Sequence, residues 1–594
     1  MRLRLFAALF APSCIVLQSA LAQSMFRGDL AHTGVYSGGG PVLQGLAWRA
    51  STDGDVVSSP TVSGATVYVG SDDGFLYALD LTTGARRWRT DLGSPVSSTP
   101  AVGGGLVYAG GRDGRIFGLD AKTGVKRWTV PTRALKLFPW GHESGDYYLS
   151  SPAYVTGTVV IGAGDGAVYA LDALTGRVRW RAQTSGRVRS SPAVSGGKVY
   201  VGSFDGVVYC FNLVTGAKVW SHETEGTTLN SGNYGFDRRS IQSSPAVAHG
   251  VVYIGARDGF VYALDASTGA RRWRYDQHVS WINSSPAVAG GLIFDGSSDA
   301  QYLQALDTAG NEVWRSKTDA IVWSSPAVAG EVVYFGDGAG RTHAVDRATG
   351  AERWVFRPLG QTYSSPVVAG DLVIVGNSDG NVYALRANAG TPVKRAVFFD
   401  STALGKGHVP ASLTTARNFT ARGYTMLDTS SVVQFFTDRI ADQAPSVVVF
   451  ALDYLPQALV GDNPDSSLFR RYLQAGGKVV WTGPPPRLFP LVMPPGKIDL
   501  DWLTASRLTS VPQDSSLFDS RGVRATPEGA RWGLKPRWRD AWSVAPAGVT
   551  QVLGLDEWGL ASAYLKSFGG APGTGFVRVP PDDPVVLYLV AEKR

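Results

Sequence analysis

Residues 58–88 read SSPTVSGATVYVGSDDGFLYALDLTTGARRW, and this pattern recurs eight times between residues 58 and 387. Most copies open on Ser-Ser-Pro, once Ser-Thr-Pro, pass through a Val- and Tyr-rich stretch to Asp-Gly, Tyr-Ala-Leu-Asp and Thr-Gly, and end on Trp. The alternation of apolar and polar residues predicts four short strands per copy, and the glycine pairs predict the tight turns between them. A period of about 40 residues is typical of a propeller or another stacked repeat.

The spacing of Pro and Trp predicts how the ring closes. Trp follows the opening Pro by 28 residues in seven copies, so length changes fall between one Trp and the next Pro. The eighth copy has Lys394 at that distance, but Trp48 lies 12 residues before Pro60, the gap found at most internal junctions. A ring of sheets must hide its last edge strand, and a strand containing Trp48 would do so. We therefore predict an all-β eight-bladed propeller over residues 23–390, closed by its N-terminal strand. The opening prolines are Pro60, Pro100, Pro152, Pro192, Pro245, Pro286, Pro326 and Pro366.

The repeat resembles that of a known group of propellers. Its Ser-Ser-Pro, Val-Tyr-Val-Gly-Ser-Xaa-Asp-Gly, Tyr-Ala-Leu-Asp, Thr-Gly and Trp elements are similar to the repeat shared by pyrroloquinoline-quinone (PQQ) dehydrogenases and the BamB outer-membrane assembly lipoproteins. The resemblance implies a PQQ-like, or quinoprotein dehydrogenase-like, eight-bladed propeller. It also implies two functions, because this fold carries both enzymes and scaffolds that catalyse nothing.

Residues 1–22 read as a secretory signal peptide. Arg2 and Arg4 precede an apolar run, and Ala20-Leu21-Ala22 before Gln23 is a small-residue cleavage site. No other apolar stretch is long enough to span a bilayer. We therefore expect a periplasmic or secreted protein, associated with the envelope. The arginines of the last strands alternate with the repeat Trp residues, which favours a solvated blade edge over a nucleic-acid surface.

Cysteine and histidine usage argues against redox and metal chemistry. Beyond the signal only Cys210 remains, at the position that Ala78 fills in the first copy, so we predict a small buried core residue. The PQQ dehydrogenases typically hold the quinone against a bridge between adjacent cysteines, which this chain cannot form. A Cys-Xaa-Xaa-Cys-His haem motif is also missing from the sequence. The seven histidines show no paired ligand spacing, so we predict no metal.

The residue just before each Ser-Ser-Pro is predicted to stand near one mouth of the central channel. These positions differ from copy to copy, and the last five copies combine a cation, two amides and two aromatic rings. Such a set suits a planar anion or a peptide carboxylate, and a quinone cofactor in the dehydrogenase alternative. The other interpretation is that they are ordinary channel-lining groups that bond water. The candidate cofactor-binding residues are Arg189, Gln242, Asn283, Trp323 and Tyr363.

Two insertions mark the same face of the predicted ring. The connections after Trp128 and Trp220 carry 12 and 13 extra residues, and insertions on one face of a repeat protein often form a binding surface. Their aromatic and charged residues suit the recognition of protein or carbohydrate. The alternative is that the two loops pack on each other. The candidate partner-binding residues are Trp140, His142, Glu143, Tyr147, Tyr148, Asn233, Tyr234, Asp237, Arg238 and Arg239.

The composition changes after residue 390. Buried strands near residues 396–399, 424–427, 446–450 and 478–481 alternate with helical stretches, which predicts a smaller three-layer α/β domain over residues 391–594. The run from Leu468 to Leu473 followed by Gly476-Gly477-Lys478-Val479-Val480 resembles the flavodoxin-like class I glutamine-amidotransferase fold. That family's nucleophile is a cysteine after such a strand, whereas here Gly483-Pro484-Pro485-Pro486 follows. We therefore expect this domain to be non-catalytic.

Two functions are consistent with these observations. The first is an exported, non-catalytic, BamB-like scaffold that binds protein or glycan at the insert-bearing face and needs no cofactor. The alternative is a PQQ-dependent alcohol or sugar dehydrogenase with calcium and an atypical pocket. The missing cysteines and haem motif favour the scaffold.

Overall fold

The computed structural model describes residues 24–133, 149–229, 237–278, 280–401, 409–452, 455–482, 509, 511, 521–532, 534–540, 543–558, 560–579 and 584–593. The predicted signal peptide, residues 1–22, lies outside these ranges. Within them, no helix is both long and apolar enough to cross a membrane.

The predicted propeller is confirmed, with eight blades of four antiparallel strands. Blade 1 consists of Thr61–Ser63, Thr66–Gly70, Phe75–Asp80 and Arg86–Asp91; blade 2 of Ala101–Gly103, Leu106–Gly110, Arg115–Asp120 and Lys126–Pro131; blade 3 of Ala153–Val155, Thr158–Gly162, Ala167–Asp172 and Val178–Gln183; blade 4 of Ala193–Ser195, Lys198–Gly202, Val207–Asn212 and Lys218–Glu223. Blade 5 consists of Ala246–Ala248, Val251–Gly255, Phe260–Asp265 and Arg271–Asp276; blade 6 of Ala287–Ala289, Leu292–Gly296, Tyr302–Asp307 and Glu312–Lys317; blade 7 of Ala327–Ala329, Val332–Gly336, Thr342–Asp346 and Glu352–Phe356; blade 8 of Val367–Ala369, Leu372–Asn377, Asn381–Asn388 and Val42–Ser51.

The N-terminal strand closes the ring, as the Trp spacing predicts. Val42–Ser51 pairs antiparallel with Asn381–Asn388 and places Trp48 opposite Ala384. Trp48 is only 1% exposed. The last blade is therefore built from both ends of the propeller sequence, which removes a free edge strand.

The repeat Trp residues join each blade to the next. Trp48 of blade 8 lies against the Thr-Gly turn of blade 1, and its indole Nε1 donates to the Leu81 carbonyl at 2.8 Å. A Cβ added to Gly84 would meet the Trp48 ring at 2.6 Å, so this turn requires glycine. The same bond recurs at six further interfaces; the donors are Trp88, Trp128, Trp180, Trp220, Trp273 and Trp314.

The Ser-Ser-Pro motif joins the blades near the axis. The first serine accepts from the glycine amide of the neighbouring strand, as Ser58 Oγ does from Gly70. The second serine donates its amide to the hydroxyl of the next blade's second serine, as Ser151 does to Ser191 at 2.9 Å. Seven such links are described round the ring, including the one from Ser365 to Ser59 that joins blade 8 to blade 1. Two hydroxyls per blade thus satisfy buried backbone groups.

The C-terminal region is built around a nine-stranded mixed sheet, so the predicted three-layer α/β domain is supported only loosely. In sheet order its strands are Thr425–Leu427, Lys394–Phe398, Ser446–Phe450, Lys478–Thr482, Gly575–Val579, Ala561–Lys566, Gln551–Asp556, Arg521–Ala525 and Arg537–Asp540. The first five run parallel and the remaining four are antiparallel. The described helices are Val409–Thr420, Thr429–Asp442, Gln457–Val460, Leu468–Gln474, Pro527–Arg531 and Pro584–Glu592. The strand–helix pattern before residue 482 predicted the parallel half, but it gave no sign of the antiparallel half.

The last helix, Pro584–Glu592, packs on blades 7 and 8. The Tyr588 ring lies 5.7 Å from Phe356 of blade 7. Glu592 pairs with Arg395 at 2.7 Å, just beyond the last strand of the propeller. Lys593 donates to the Ala47 carbonyl in the closing strand. The C-terminal region therefore covers the propeller where the ring is closed.

Candidate binding site

The segment before the closing strand fills one end of the central channel. Ser24, Leu30, Ala31, Thr33 and Gly34 each accept a backbone hydrogen bond from the inner strand of a blade, in order round the ring. Val35–Tyr36 then pairs in parallel with Ala327–Ala329 of blade 7. We call residues 24–36 the plug, and the end of the ring that it occupies the lower face. The upper face carries the Asp-Gly turns and the Trp-to-Pro connections.

The plug holds buried polar side chains as well as backbone. Arg27 donates to the carbonyls of Pro326 and Pro286 at 2.5 and 3.0 Å. Burial lowers the pKa of Arg27 to about 10, so it stays charged at neutral pH. Burial also lowers the pKa of His32 to about 3, so that histidine is neutral. The His32 ring stands edge-on to Phe26 at 5.4 Å. The plug is therefore an ordered part of the propeller interior.

Above the plug, the axis holds a cavity of only about 30 Å³. Phe26 forms part of its lining, together with the second serines of the Ser-Ser-Pro motifs. Arg189, Gln242, Asn283 and Trp323, four of the five candidate cofactor-binding residues, also line it. The fifth, Tyr363, is buried and stacks on Trp323 with ring centroids 5.4 Å apart. The structure thus brings the five together around a space with room for about two water molecules.

An arginine that the sequence analysis did not single out organises two of these residues. Arg257 Nη2 donates to Gln242 Oε1 at 2.7 Å, and its Nε donates to Asn283 Oδ1 at 3.3 Å. The same guanidinium lies 3.7 Å from the Asp237 carboxylate and 4.4 Å from the Trp281 ring centroid. Arg257 precedes the Asp-Gly turn of blade 5, where the first copy has Asp72. The signal available in the sequence was that this position, next to an Asp-Gly turn shared by six of the eight copies, varies from copy to copy.

PQQ does not fit the axial site. It is a tricyclic quinone with three carboxylates, and sites for ligands of that size enclose roughly 300 Å³ or more. The cavity between the plug and the candidate residues is about 30 Å³. The side chains that would bind the quinone are bonded to one another, as Gln242 and Asn283 are to Arg257. For calcium, the described residues contain no group of three or more His, Cys, Asp or Glu placed to hold a metal ion.

The described part of the second insertion is mostly internal. Asp237 is buried and accepts from the amides of Arg239 and Ser240 at 3.1 Å each. Arg238 is also buried, and its guanidinium donates to the Asp258 carbonyl. Arg239 is exposed on the upper face. Their part in partner binding stays a prediction. Trp140, His142, Glu143, Tyr147, Tyr148, Asn233 and Tyr234 lie outside the described residues.

The upper face also carries a much larger cavity, of about 830 Å³, at blade 6. We call it the blade-6 pocket, and define it by Gln277, Trp281, Ser298, Tyr302 and Trp323, which line it. Trp323 lines this pocket and the axial cavity, and its Nε1 donates to Ser298 Oγ at 2.9 Å. One of the candidate residues thus also belongs to a space of ligand size.

The pocket coincides with a departure from the repeat. Blade 6 has five residues between Gly296 and Tyr302, where blade 5 has four between Gly255 and Phe260. The following turn is one residue shorter, so the distance from Pro to Trp is unchanged. Gln301 occupies the left-handed corner with φ +55°, where other blades use glycine. Because the two length changes cancel, the 28-residue spacing from Pro to Trp does not reveal them. The loss of Asp-Gly in this copy is the only sign of them in the repeat pattern.

A buried carboxyl group lies behind the pocket. In five other blades the Asp of Asp-Gly accepts from a tyrosine four residues on, as Asp258 does from Tyr262 at 2.7 Å. In blade 6, Asp295 lies on the second strand, at the position of Val69 in blade 1, and accepts from Gln277 Nε2 at 2.8 Å and from Gln304 Nε2 at 3.0 Å. Gln304 occupies the position of that tyrosine. Burial raises the pKa of Asp295 to about 7. The Oε1 atoms of both glutamines are buried and have no hydrogen-bond partner among the described residues.

The sequence and the fold were compared with those of known proteins. A family model described as outer membrane protein assembly factor BamB matches residues 44–146, 139–235, 205–354 and 299–394. A model described as the MJECL34 family matches residues 407–588. The expected glutamine-amidotransferase-like domain is therefore not confirmed. No curated protein matches the sequence.

Solved structures with the same propeller include enzymes and an assembly factor. A europium-containing methanol dehydrogenase is 16% identical with a TM-score of 0.53, covering 62% of this chain and 98% of its own. A quinohemoprotein alcohol dehydrogenase from Comamonas testosteroni is 17% identical with a TM-score of 0.50, covering 66% and 84%. BamB from Moraxella catarrhalis is 19% identical with a TM-score of 0.47, covering 57% and 97%. At these identities the structural likeness shows the fold alone. The family model, by contrast, matches more than half of the 594 residues, and the chain therefore belongs to the family described as outer membrane protein assembly factor BamB.

Proposed function

We propose that this chain is an exported, non-catalytic binding protein that holds a protein or glycan partner on the upper face of its propeller. The observation that carries the proposal is the filled axis. The plug closes the lower end, the serine links surround the channel, and about 30 Å³ remains above them. A propeller whose centre is occupied by its own chain offers its faces as the binding surfaces.

Two further features support the upper face. It bears both insertions, and the lower face is taken up by the plug and the short turns of the repeat. The upper ends of the inner strands differ from blade to blade, whereas the serines beneath them do not. Variation on one face of an otherwise regular repeat is typical of a surface selected for binding. Membership in the family of an outer membrane protein assembly factor is consistent with such a role in the cell envelope.

The alternative, a PQQ-dependent alcohol or sugar dehydrogenase, is tested directly. Purified protein lacking the signal is titrated with PQQ in the presence of calcium while absorbance and dye reduction with alcohols and aldose sugars are recorded. We expect no saturable uptake and no turnover, because the axial cavity is about a tenth of the volume that such a ligand requires. Stoichiometric uptake accompanied by turnover would overturn the scaffold proposal.

The binding face is tested by cross-linking in cells. A photoreactive amino acid replaces Arg239, which is exposed on the upper face, and in a matched variant it replaces Lys122, which is exposed in a turn of the lower face. We expect a defined adduct, identified by mass spectrometry, from position 239 and none from position 122. Adducts that form at position 122 alone would place the partner on the wrong face for this proposal.

A further inference from the structure

The blade-6 pocket has the walls of a site for a ring-shaped ligand. Trp281 and Trp323 both line it, together with Tyr302. One face of Trp281 is covered by Arg257 and Trp323 stacks on Tyr363, so both indoles are held in place from behind. Rigid aromatic surfaces on a cavity of about 830 Å³ provide apolar contact area at little entropic cost.

The charges around the pocket argue against an ionic ligand. Arg315 lines the pocket, but its guanidinium is bonded to Glu312 and to Tyr275. Arg257, behind Trp281, is bonded to Gln242 and lies beside the Asp237 carboxylate. Both arginines that approach the pocket therefore already have acidic partners, which disfavours an anion. A cation is disfavoured at the aromatic walls, because guanidinium groups already lie against Trp281 and Tyr302 at 4.4 and 4.2 Å. The carboxylate of Asp299 also lines the pocket, at its exposed rim.

The wall of the pocket also contains a buried acceptor, which a hydroxyl group would satisfy once the side chain turned towards the cavity. Gln277 is 2% exposed and lines the pocket, and its Oε1 has no hydrogen-bond partner among the described residues. When Asp295 is ionised, Nε2 is the atom of the Gln277 amide that faces it, because the opposite orientation would set two acceptors against each other. A buried polar atom left without a partner is costly, so a ligand that donates to it gains affinity. Hydroxyl groups both donate and accept, and Ser298 and Asp299 offer further partners at the rim.

We propose that the blade-6 pocket binds a neutral saccharide, with its sugar ring against Trp281 and Trp323 and a hydroxyl group donating to Gln277 Oε1. Sugar rings combine apolar C–H faces with a belt of hydroxyl groups, which matches aromatic walls beside the uncharged Gln277 and Ser298, with the Asp299 carboxylate at the rim as a further acceptor. This inference rests on the proposed function, of which it names the ligand class and the site. It assigns glycan binding to blade 6 rather than to the two insertions.

The test compares matched sugars of different charge by calorimetry on the full protein lacking its signal. The neutral probes are maltotriose, cellotriose and triacetylchitotriose. The charged probes are chitotriose, which is the deacetylated and cationic form of the last, and trigalacturonate, which is anionic. We expect one-to-one binding of at least one neutral trisaccharide, at least ten-fold tighter than binding of either charged probe. The absence of binding by all three neutral sugars at millimolar concentration overturns the proposal.

Variants then place the bound sugar. Ala300 is exposed and lines the pocket, so Ala300→Trp fills the space with little effect on folding and is expected to weaken binding at least ten-fold. Trp281→Ala should do the same, and Gln277→Met should weaken binding about three- to ten-fold through the loss of one hydrogen bond. Trp558→Ala, which removes an indole that is 62% exposed in the C-terminal region, serves as the control.

Three outcomes separate this inference from the proposed function. Sugar binding that survives both Ala300→Trp and Trp281→Ala overturns the pocket assignment. PQQ uptake that Ala300→Trp abolishes overturns both proposals, because the pocket would then hold a cofactor. Failure of every sugar while the cross-link at position 239 still forms overturns the saccharide site alone and leaves the binding face standing.

Discussion

The outer wall of the propeller and its upper face are made from the same eight repeats, but they use them differently. In the wall, one contact is repeated, since a Trp indole packs on a glycine turn of the next blade and bonds its backbone at seven interfaces. On the upper face, the residue before each Ser-Ser-Pro changes from Val57 to Tyr363 round the ring. Regularity in the wall holds the ring together, and it is the departures from regularity that create cavities and unusual polar groups.

Blade 6 shows how small such a departure is. Its wall contact is intact, because Trp273 of blade 5 donates to Thr308 and Trp314 of blade 6 donates to Arg347. Its upper turn has gained one residue and its lower turn has lost one. The same blade contains the pocket. It also contains Asp295, which is bonded to Gln277 and Gln304, whereas other blades have a hydrogen bond between a tyrosine and the Asp of Asp-Gly. The following predictions test whether the repeated contacts of the wall raise the free energy of unfolding, while the unusual polar groups of the upper face lower it.

The largest effect is expected at a wall glycine. Gly350 has φ +71°, and a Cβ there would lie 2.5 Å from the Trp314 ring. Gly330, in the same blade, has φ +57° with nothing within 4 Å of the added Cβ. Gly330→Ala should cost about 1–2 kcal/mol of unfolding free energy from the left-handed backbone alone. Gly350→Ala should cost about 3 kcal/mol more, because the Trp314 indole that packs on this turn must also move. We call this repeated contact of a Trp indole with the next blade's glycine turn the Trp staple. If the two variants lose the same free energy of unfolding in chemical denaturation, contact with the Trp314 ring is not what requires glycine at position 350.

The second prediction concerns the upper face, where a substitution should stabilise. The pKa of Asp295 is raised from 3.8 to about 7 by burial. Below pH 4 the group is protonated in both states; from pH 4 to 7 only the unfolded chain loses its proton, so folding becomes progressively less favourable. A pKa shift of this size lowers the free energy of unfolding by roughly 4 kcal/mol at most. Because burying the amide of asparagine also has a cost, Asp295→Asn should raise the free energy of unfolding by only about 2 kcal/mol at pH 7.

The pH dependence is the decisive feature of that experiment. In thermal unfolding, Asp295→Asn should be about as stable as the unsubstituted protein at pH 4. Its additional stability should grow up to pH 7 and stay constant above that pH. The new amide can also donate to one of the two glutamine oxygens that have no partner among the described residues. Asp80→Asn is the control, since the pKa of Asp80 is lowered to about 2 by its bond to Arg87. A loss of stability in Asp295→Asn at pH 8 would contradict the prediction.

The wall could be predicted from the sequence, and the cavities could not. A constant 28-residue spacing implied equivalent Trp positions, and Trp48 before Pro60 implied closure by the N-terminal strand. Residues 24–36 carry no repeat, so periodicity could not show that they fill the channel. Asp237 and Arg238 looked like surface residues in an insertion, but their burial depends on Arg257 and on the Asp258 carbonyl, which come from blade 5.

The C-terminal region was predicted in part for a related reason. Parallel strands joined by helices leave a clear trace, so the strands from Lys394–Phe398 to Lys478–Thr482 were anticipated. Two of the antiparallel strands, Arg521–Ala525 and Arg537–Asp540, are rich in arginine and contain no run of consecutive apolar residues, so they leave little trace in the sequence. The strand–helix pattern therefore predicted the parallel half of the sheet, whereas the glutamine-amidotransferase likeness is not confirmed.

A third prediction compares a wall Trp that bonds the next blade with one that does not. Trp314 and Trp354 are each 8% exposed. Trp314 Nε1 donates to the Arg347 carbonyl at 3.0 Å, whereas Trp354 Nε1 has no partner among the described residues. Replacing each with Phe should cost about 1–2 kcal/mol more at position 314, where a carbonyl loses its donor. Equal effects on the free energy of unfolding would indicate that packing alone makes the staple.

The smallest effect is expected from a wall feature that is also repeated. Arg87 pairs with Asp80 at 2.8 Å, and the same pair recurs in four other blades. The arginine side chains of these pairs are 39–54% exposed, so water and salt screen the pairs, and Arg87→Ala should change the free energy of unfolding by no more than about 0.5 kcal/mol. The lowered pKa of Asp80 places any contribution above pH 4, with loss as the pH falls towards 2.

Measuring Arg87→Ala at low and at high salt completes the comparison. The small difference from the unsubstituted protein should vanish at high salt, whereas the cost of Gly350→Ala should be unchanged. Repetition would then not be enough to mark a stabilising contact, because the ion pair recurs almost as regularly as the Trp staple. Burial is what separates the two, since the staple removes an indole and a turn from water and the ion pair does not. A loss of several kcal/mol from Arg87→Ala, insensitive to salt, would remove that distinction.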